Sequence, residues 1–354
     1  MKTIYSDIIP FRGTHYDFGK MQGQLLKDSL TLINRENQWK VRRPRFQINA
    51  AEAKQAIASF APAIWEELLG FQEALQWPIE KVLTEFGGYR LEIPRSGCSI
   101  LTGNDYFIRN YDYHPKTYEG RFVFFHPSDH GYATAGPSQR ITGRSDGMNE
   151  KGLVMGYNFM NRKKPGDGFI CSMINRIVLE TCAHVEEAVA LLKEIPHRHS
   201  FSYIMHDRSG RTFIAEATPR EVKVRESRIC TNHFELLQHE NRGHLVDSKR
   251  RLAILEEHQA HLSEAREAFH LLNDTDKGIF SDLYASWAGT IHTAAYFPNE
   301  LKVWFALGGD QFPTVLDFGA WLAGKDISME RITGEVDTDI PFVHMDEHAD
   351  WFRR

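Results

Sequence analysis

The order of helical and strand-like segments constrains the fold of this 354-residue chain more than any other feature. Roughly the first 95 residues predict helices, whereas strand-like runs begin at Cys98 and alternate in groups with helical blocks near 172–194 and 248–272. Runs of strands, then helices, then strands again indicate a layered α+β protein rather than a doubly wound parallel sheet. The strand-like runs are 99–101, 106–113, 121–125, 152–157, 201–206, 212–217, 222–226, 229–231, 290–296 and 301–307.

Capping signals predict a mainly helical segment over residues 1–97. After a short strand over 1–9, a helix is expected to run to about Asn34. Later helix starts are marked by Asn49 with Glu52 in capping-box spacing, by Pro62 and by Pro78. The basic stretch 40–45 fits a solvated connector, with contact to an anionic ligand as the alternative.

Composition and charge argue against several functional classes. The net charge of −5 predicts no general affinity for nucleic acid or for an anionic membrane. The cysteines at 98, 171, 182 and 230 match no zinc pattern and are too few for a disulfide scaffold. The N-terminus lacks the apolar region of a signal peptide, and no run approaches the ~18 apolar residues of a membrane span. We therefore expect a cytoplasmic protein of the size of an enzyme, and no metal or redox cofactor is implied.

The Gly97–Cys98 pair suggests a nucleophile produced by self-cleavage. A free thiol with a pKa near ~8.5 is mostly protonated at neutral pH and needs an activating neighbour. Cleavage before Cys98 would supply one, because a free α-amine has a pKa of roughly 7.7–8.0 and sits on the same residue. Gly97 favours such cleavage, since a residue without Cβ tolerates strained backbone and leaves its carbonyl open. Arg109 could then favour the thiolate, and Asp112 could orient the amine.

Several segments together resemble the isopenicillin N acyltransferase family, a branch of the N-terminal-nucleophile hydrolases related to bile-salt and penicillin V hydrolases. No segment is specific alone; the resemblance comes from their order and spacing along most of the chain. The matching segments are Gly13–Gly19 with Gln22-Gly23, Ala61–Gly70, Gly97-Cys98, Arg109–Asp112, Asn149–Asn158, Cys230–His233, and Asp247-Ser248 with Arg251.

The resemblance implies a role for each matching residue. Cys98 would supply both the thiolate nucleophile and the α-amino base, with Gly97-Cys98 as the cleavage site. Asp112 resembles the carboxylate that binds the amine, and Arg109 the cation beside the sulfur. The remaining implied residues are Asn232 as the side-chain donor of the oxyanion hole, Asn158 as a second contributor, and Arg251 as a supporting cation for which Arg250 is an equal choice.

The resemblance also implies a fold and a reaction. We expect a four-layer αββα sandwich with two antiparallel sheets, made of retained chains 1–97 and 98–354. Cys98 would attack a non-peptide acyl amide and form an acyl thioester, which water or an amine would resolve. Acyl-coenzyme A could act as the donor in a transferase. Arg109 stands where the acyltransferase branch tends to carry Gln, which favours the hydrolase branch.

Two alternatives stay open at the sequence level. Cys98 could be a buried structural cysteine in a hairpin, because free cysteines are often buried. The chain would then be an unprocessed homologue that acts as a binding module. Asn158 and Asn232 could likewise satisfy backbone groups at strand ends, where Asn is common.

Overall fold

The computed structural model describes residues 1–41, 49–91, 97–161, 163–243, 245–259, 261–262 and 264–345. The basic stretch 40–45 lies outside the described residues from 42 onward. The helices are α1 His15–Leu26, α2 Leu30–Val41, α3 Ala50–Phe60, α4 Pro62–Leu75, α5 Ile79–Phe86, α6 Cys171–Thr181, α7 Val185–Glu194, α8 Val246–Gln259, α9 Ala265–Asn273 and α10 Phe318–Leu322.

Strands account for the rest of the regular structure in this part of the chain. They are β1 Lys2–Gly13, β2 Gly97–Thr102, β3 Phe107–Tyr113, β4 Arg121–Pro127, β5 Thr134–Gln139, β6 Gly143–Arg144, β7 Asp146–Asn149, β8 Val154–Asn161, β9 Ser200–His206, β10 Thr212–Ala217, β11 Val222–Glu226, β12 Ile229–Cys230, β13 Gly289–Phe297, β14 Lys302–Leu307, β15 Thr314–Asp317 and β16 Arg331–Val336.

The strands form two sheets. The larger sheet has the order β11-β10-β9-β8-β7-β5-β4-β1-β16, with β6 attached to β5, and the smaller has the order β12-β2-β3-β13-β14-β15. The prediction of purely antiparallel sheets is wrong at one pair, because β1 runs parallel to β4 with Asp7 opposite Arg121. The chain between these two strands contains α1 to α5, and a crossover of this length permits parallel pairing.

Three apolar clusters separate four layers. The inner faces of both sheets meet around residues such as Ile100, Phe122 and Phe305. Helices α3 to α7 cover the outer face of the larger sheet, and α8 and α9 cover that of the smaller one around Leu101 and Leu272. Because a strand alternates its side chains between faces, each sheet is buried on both sides. The predicted four-layer αββα sandwich is confirmed.

The local sequence signals are confirmed where capping chemistry is strong. The Asn49 side chain accepts hydrogen bonds from the Ala51 and Glu52 backbone, and Pro62 is the first residue of α4. The single helix expected to reach Asn34 is wrong, because the chain breaks between α1 and α2 at Asp28, whose φ is 62°. The predicted strands do not include β5, β6, β7, β15 and β16.

Candidate active site

Cys98 is the second residue of β2, at the end of a hairpin with β3. In this register Gly97 lies opposite Asp112, and Cys98 lies opposite Tyr111. Cys98 shares a face with Ile100, which belongs to the core between the sheets. The hairpin therefore directs the thiol inward, and the side chain is only 1% exposed.

Arg109 brings a cation to the sulfur. Its Nη2 lies 3.1 Å from Cys98 Sγ and donates to the Tyr157 carbonyl at 2.7 Å. Its guanidinium carbon lies 5.3 Å and 5.1 Å from the ring centroids of Tyr111 and Tyr157. The side chain is completely buried, so its charge acts on the thiol with little screening by water.

The backbone of Cys98 is held by two other predicted site residues. Its N–H donates to Asn232 Oδ1 at 2.9 Å. Arg251 donates to the Cys98 carbonyl at 2.8 Å and to Asn232 Oδ1 at 2.9 Å. Arg250 instead binds the Gly278 carbonyl and Asp247 in an exposed position. The structure thus brings Arg251, and not Arg250, to Cys98.

Asp112 lies beside Gly97 on the face of β3 opposite to Arg109. Its Oδ1 accepts a hydrogen bond of 2.7 Å from the Thr290 hydroxyl. A Cβ placed on Gly97 would lie 3.2 Å from Asp112 Oδ2. Burial raises the pKa of Asp112 to about 6, although the Arg251 cation opposes this shift. The carboxyl group can therefore change its charge near neutral pH next to the expected cleavage site.

The two asparagines use their amides on backbone carbonyls. Asn158 Nδ2 donates to the carbonyls of Cys230 and Thr231, at 3.0 and 3.1 Å. Asn232 Nδ2 donates to the Phe159 carbonyl at 3.0 Å. Asn158 consequently anchors the segment that carries Asn232, and the oxyanion role of both residues stays a prediction.

Opposing effects act on the thiol. Burial raises the pKa of Cys98, and the nearby Arg109 cation lowers it. Both effects are strong because water is excluded from the thiol and from the guanidinium. The net effect raises the pKa of the Cys98 thiol, which is therefore held in its neutral form next to a fixed cation.

Asp146 is a site residue that sequence reasoning missed. It lies on β7 in the larger sheet and forms a 2.5 Å ion pair with Arg109 from the smaller sheet. Its segment, Ser145-Asp-Gly147, looks like a turn, and no local pattern indicates a partner 37 residues earlier. Only the packing of the two sheets reveals this contact.

The described residues contain neither a metal-binding cluster nor a membrane-spanning helix. Among the described residues, no group of three or more His, Cys, Asp or Glu side chains is placed to hold a metal ion. In the same part of the chain, no helix combines the length and the apolar character needed to cross a membrane.

The four layers form an αββα sandwich in which the Gly97–Cys98 pair begins strand β2 of the smaller sheet. Residues 100–311 match the family model described as acyl-coenzyme A:6-aminopenicillanic acid acyl-transferase. The match covers about three fifths of the chain, and the chain belongs to this family. It begins two residues after Cys98 and therefore does not itself include the Gly97–Cys98 pair.

Solved structures of similar proteins are distant in sequence. Penicillin V acylase from Agrobacterium tumefaciens is 14% identical with a TM-score of 0.39, over 62% of this chain and 84% of that one. A variant of conjugated bile acid hydrolase from Clostridium perfringens is 14% identical with a TM-score of 0.43, over 69% and 99%. An N-acylethanolamine-hydrolyzing acid amidase ortholog from Caenorhabditis elegans is 13% identical with a TM-score of 0.41, over 57% and 92%. A comparison with curated proteins gave no match.

Proposed function

We propose that this chain cleaves its own Gly97–Cys98 bond and then acts as a cysteine N-terminal-nucleophile amidohydrolase or acyltransferase. One observation carries the proposal: both future reactive atoms of Cys98 already have partners. The sulfur lies 3.1 Å from Arg109 Nη2, and the nitrogen that would become the α-amine lies 2.9 Å from Asn232 Oδ1.

Self-cleavage is an N-to-S acyl shift followed by hydrolysis. The Cys98 sulfur attacks the Gly97 carbonyl carbon, a C–S bond forms, the C–N bond breaks, and the thiol proton moves to the released nitrogen. Water then hydrolyses the thioester and leaves the Gly97 carboxylate with a free thiol. Asp112 is the carboxylate next to this bond, and its place opposite Gly97 supports a part in the proton transfer.

Substrate turnover uses the same sulfur with the new amine as base. The thiolate attacks the substrate carbonyl, forms an acyl thioester and expels the amine, which takes its proton from the α-ammonium group. Water or a second amine then attacks the thioester. Asn232 would stabilise the oxyanion only after its amide leaves the Phe159 carbonyl, to which it is bonded in the closed chain.

The proposed substrate is a small, non-peptide acyl amide. The family's description names an acyl-coenzyme A donor and an aminopenicillanic acid acceptor, which supports an acyl group moving between sulfur and an amine. An arginine at position 109 resembles the hydrolase branch, and this resemblance favours hydrolysis over acyl transfer as the reaction. Partition of a trapped acyl-enzyme between water and added amines decides between the two reactions.

Residues 1–97 would stay bound to residues 98–354 after cleavage. Strand β1 lies between β4 and β16, with ladders to both. Glu67 of α4 also forms a buried ion pair with Arg176 of α6. Loss of the shorter chain would expose these strands and remove one of the two carboxylates that pair with the buried Arg176, so a heterodimer is expected.

Intact-mass analysis of the purified protein tests the proposal directly. We expect fragments of residues 1–97 and 98–354 from the native chain, one uncleaved chain from Cys98→Ala, and slowed cleavage in Cys98→Ser. A single full-length species from the native sequence would favour the binding-module alternative, which the 1% exposure of Cys98 also suits. Under that alternative Cys98→Ala changes nothing.

The oxyanion role of Asn232 has its own test. Asn232→Ala should fold but turn over substrate about 10²–10³-fold more slowly, because one donor to the developing charge is lost. Circular dichroism checks the fold, and unchanged turnover would reject the role.

A further inference from the structure

A carboxylate from the opposite sheet pairs with the cation beside Cys98. Arg109 Nη1 contacts Asp146 Oδ1 at 2.5 Å and the Ser145 carbonyl at 2.9 Å, while Nη2 faces the sulfur. Of the residues that the structure describes, Asp146 is the one carboxylate within ion-pair distance of Arg109. A buried guanidinium without a counter-charge is costly, so the position of Arg109 depends on Asp146.

Asp146 is itself fixed by contacts to both of its oxygens. The Tyr296 hydroxyl donates to Oδ2 at 2.6 Å, and the Ser145 hydroxyl donates to Oδ1 at 2.8 Å. His292 Nε2 lies 3.7 Å from Oδ1, beyond hydrogen-bond distance. Although burial alone would raise the pKa of Asp146, the Arg109 cation, the nearby His292 and the Tyr296 hydroxyl hold it well below its usual range. The carboxylate is therefore an anionic, immobile anchor.

We propose that Asp146 is a positioning residue that holds the Arg109 guanidinium at the Cys98 sulfur. It touches neither the sulfur nor the expected substrate site and acts through Arg109. The inference rests on the proposed function, in which Cys98 is the nucleophile. A guanidinium held 3.1 Å from the sulfur stabilises the thiolate far better than a guanidinium that is free to rotate away from it.

Two possible effects of Asp146 on the thiol have opposite signs. As a plain negative charge near the site, it disfavours the thiolate, so its removal would lower the thiol pKa. As the anchor of Arg109, it favours the thiolate, so its removal would raise the thiol pKa. The direction of the change therefore separates positioning from a general electrostatic or structural role.

Several other titratable groups face this pair and must be considered in any pH profile. Burial raises the pKa of both tyrosines that flank Arg109, so they stay neutral. Burial also lowers the pKa of His292, which stays neutral as well. The groups facing Cys98 and Arg109 are Asp112, Tyr111, Tyr157, Cys171, Asp146, His292 and Tyr296. Of these, Asp112 is the group that titrates near neutral pH. In the processed protein the Cys98 α-amine, with an ordinary pKa of roughly 7.7–8.0, titrates there as well, and both groups are unchanged in the variants below.

The test measures the thiol pKa in the processed protein from the pH dependence of Cys98 alkylation by iodoacetamide, read by mass spectrometry. Asp146→Asn keeps the shape of the side chain and removes its charge. We expect the thiol pKa to rise by about one unit, with slower alkylation at pH 7, since a neighbouring opposite charge commonly shifts a pKa by about 1–3 units. A lower or unchanged thiol pKa overturns the proposal.

Tyr296→Phe keeps both charges and removes one hydrogen bond to Asp146, so it decides the question if Asp146→Asn fails to fold or to process. A smaller rise of the thiol pKa supports the proposal, and an unchanged profile overturns it. Tyr106→Phe is the matched control, a buried tyrosine on the outer side of the smaller sheet, and should match the native profile. Failure of the proposed function is seen separately, as absence of cleavage or of a reactive Cys98 in the native protein.

Discussion

Arg109 and Asp112 differ in what they offer Cys98, although they are only three residues apart on β3. Alternation along the strand puts Arg109 on the inner face with the sulfur and Asp112 on the outer face beside Gly97. In the proposed mechanism the cation therefore acts on the Cys98 sulfur, and the carboxylate acts on the Gly97–Cys98 bond. Separate experiments can address each residue.

The pH dependence of self-cleavage should show whether the reaction requires the ionised carboxylate of Asp112. Thiol ionisation alone makes the rate rise about tenfold per pH unit, and a required Asp112 carboxylate adds a second factor below about pH 6, where burial has placed its pKa. We expect the slope of log rate against pH to steepen from about 1 to about 2 below that point. The measurement is the appearance of fragment 98–354 by intact mass after refolding.

Asp112→Asn is the control for this slope. It should cleave more slowly and keep a slope of about 1 throughout, because only the thiol then titrates. A native profile with the same single slope would show that the ionised Asp112 is not needed for cleavage.

Arg251 and Arg250 form a matched pair of variants. Arg251 binds the Cys98 carbonyl, Ser99 and Asn232, whereas Arg250 is an exposed residue one position earlier. Hydrogen bonds to charged groups contribute about 1.5–3 kcal/mol, so Arg251→Ala should slow cleavage by about 10- to 100-fold. Arg250→Ala should cleave at the native rate, since exposed pairs contribute little. Equal rates in the two variants would remove Arg251 from the site.

The choice between these arginines shows what the sequence could and could not predict about the site. Residues Ser248, Arg251 and Leu255 are buried on one face of α8, at helical spacing that a sequence can reveal. Asp146 left no such signal, because its importance arises from a contact between two sheets. Residues that act on neighbours in sequence or on one face are predictable, and those paired across layers are not.

At the scale of elements, strand β5 was not predicted because it contains a glycine and a proline, which are typical of turns. Gly136 and Pro137 in β5 look like turn residues, yet a Cβ at Gly136 would lie 2.4 Å from the Asp146 carbonyl of β7. The glycine is needed for close strand approach, which local composition cannot distinguish from a turn. By contrast, the runs 290–296 and 301–307 were predicted as strands from their local residues, and they pair as β13 and β14.

Helices α1 and α4 touch through glycines, and this contact should be intolerant of a methyl group. A Cβ at Gly70 would lie 2.1 Å from the Tyr16 carbonyl oxygen. Gly70→Ala gains about 1 kcal/mol of helix propensity but forces the two backbones apart, so we expect a net loss of about 1–3 kcal/mol in the free energy of unfolding. Urea unfolding measures it.

The exposed neighbour Glu66 supplies the control for that helix. Glu66→Ala should change the free energy of unfolding by no more than about 0.5 kcal/mol. If the Gly70→Ala protein is as stable as the native one, α1 and α4 can move apart without a loss in the free energy of unfolding.

At the scale of the whole molecule, the segment before the cleavage site is tied into the rest by buried charges. Glu67 of α4 accepts from Gln22 of α1 and from Arg176 of α6. Arg176 also binds Glu180, which in turn contacts His15 at the start of α1. This network crosses the proposed boundary between chains 1–97 and 98–354. Its protonation state should therefore affect the stability of the association between the two chains.

His15 makes that cohesion depend on pH. Burial alone would lower its pKa, but the hydrogen bond and charge of Glu180 raise it above the usual 6.5. A raised pKa in the folded state means that the stabilisation is fully present below about pH 6.5 and is lost as pH rises through the folded-state pKa. The melting temperature of the native protein should therefore exceed that of His15→Gln most at acidic pH, and the difference should shrink toward alkaline pH. A difference that grows with pH would mean that His15 is held in its neutral form, with Asp129 and Glu180 serving only as hydrogen-bond acceptors.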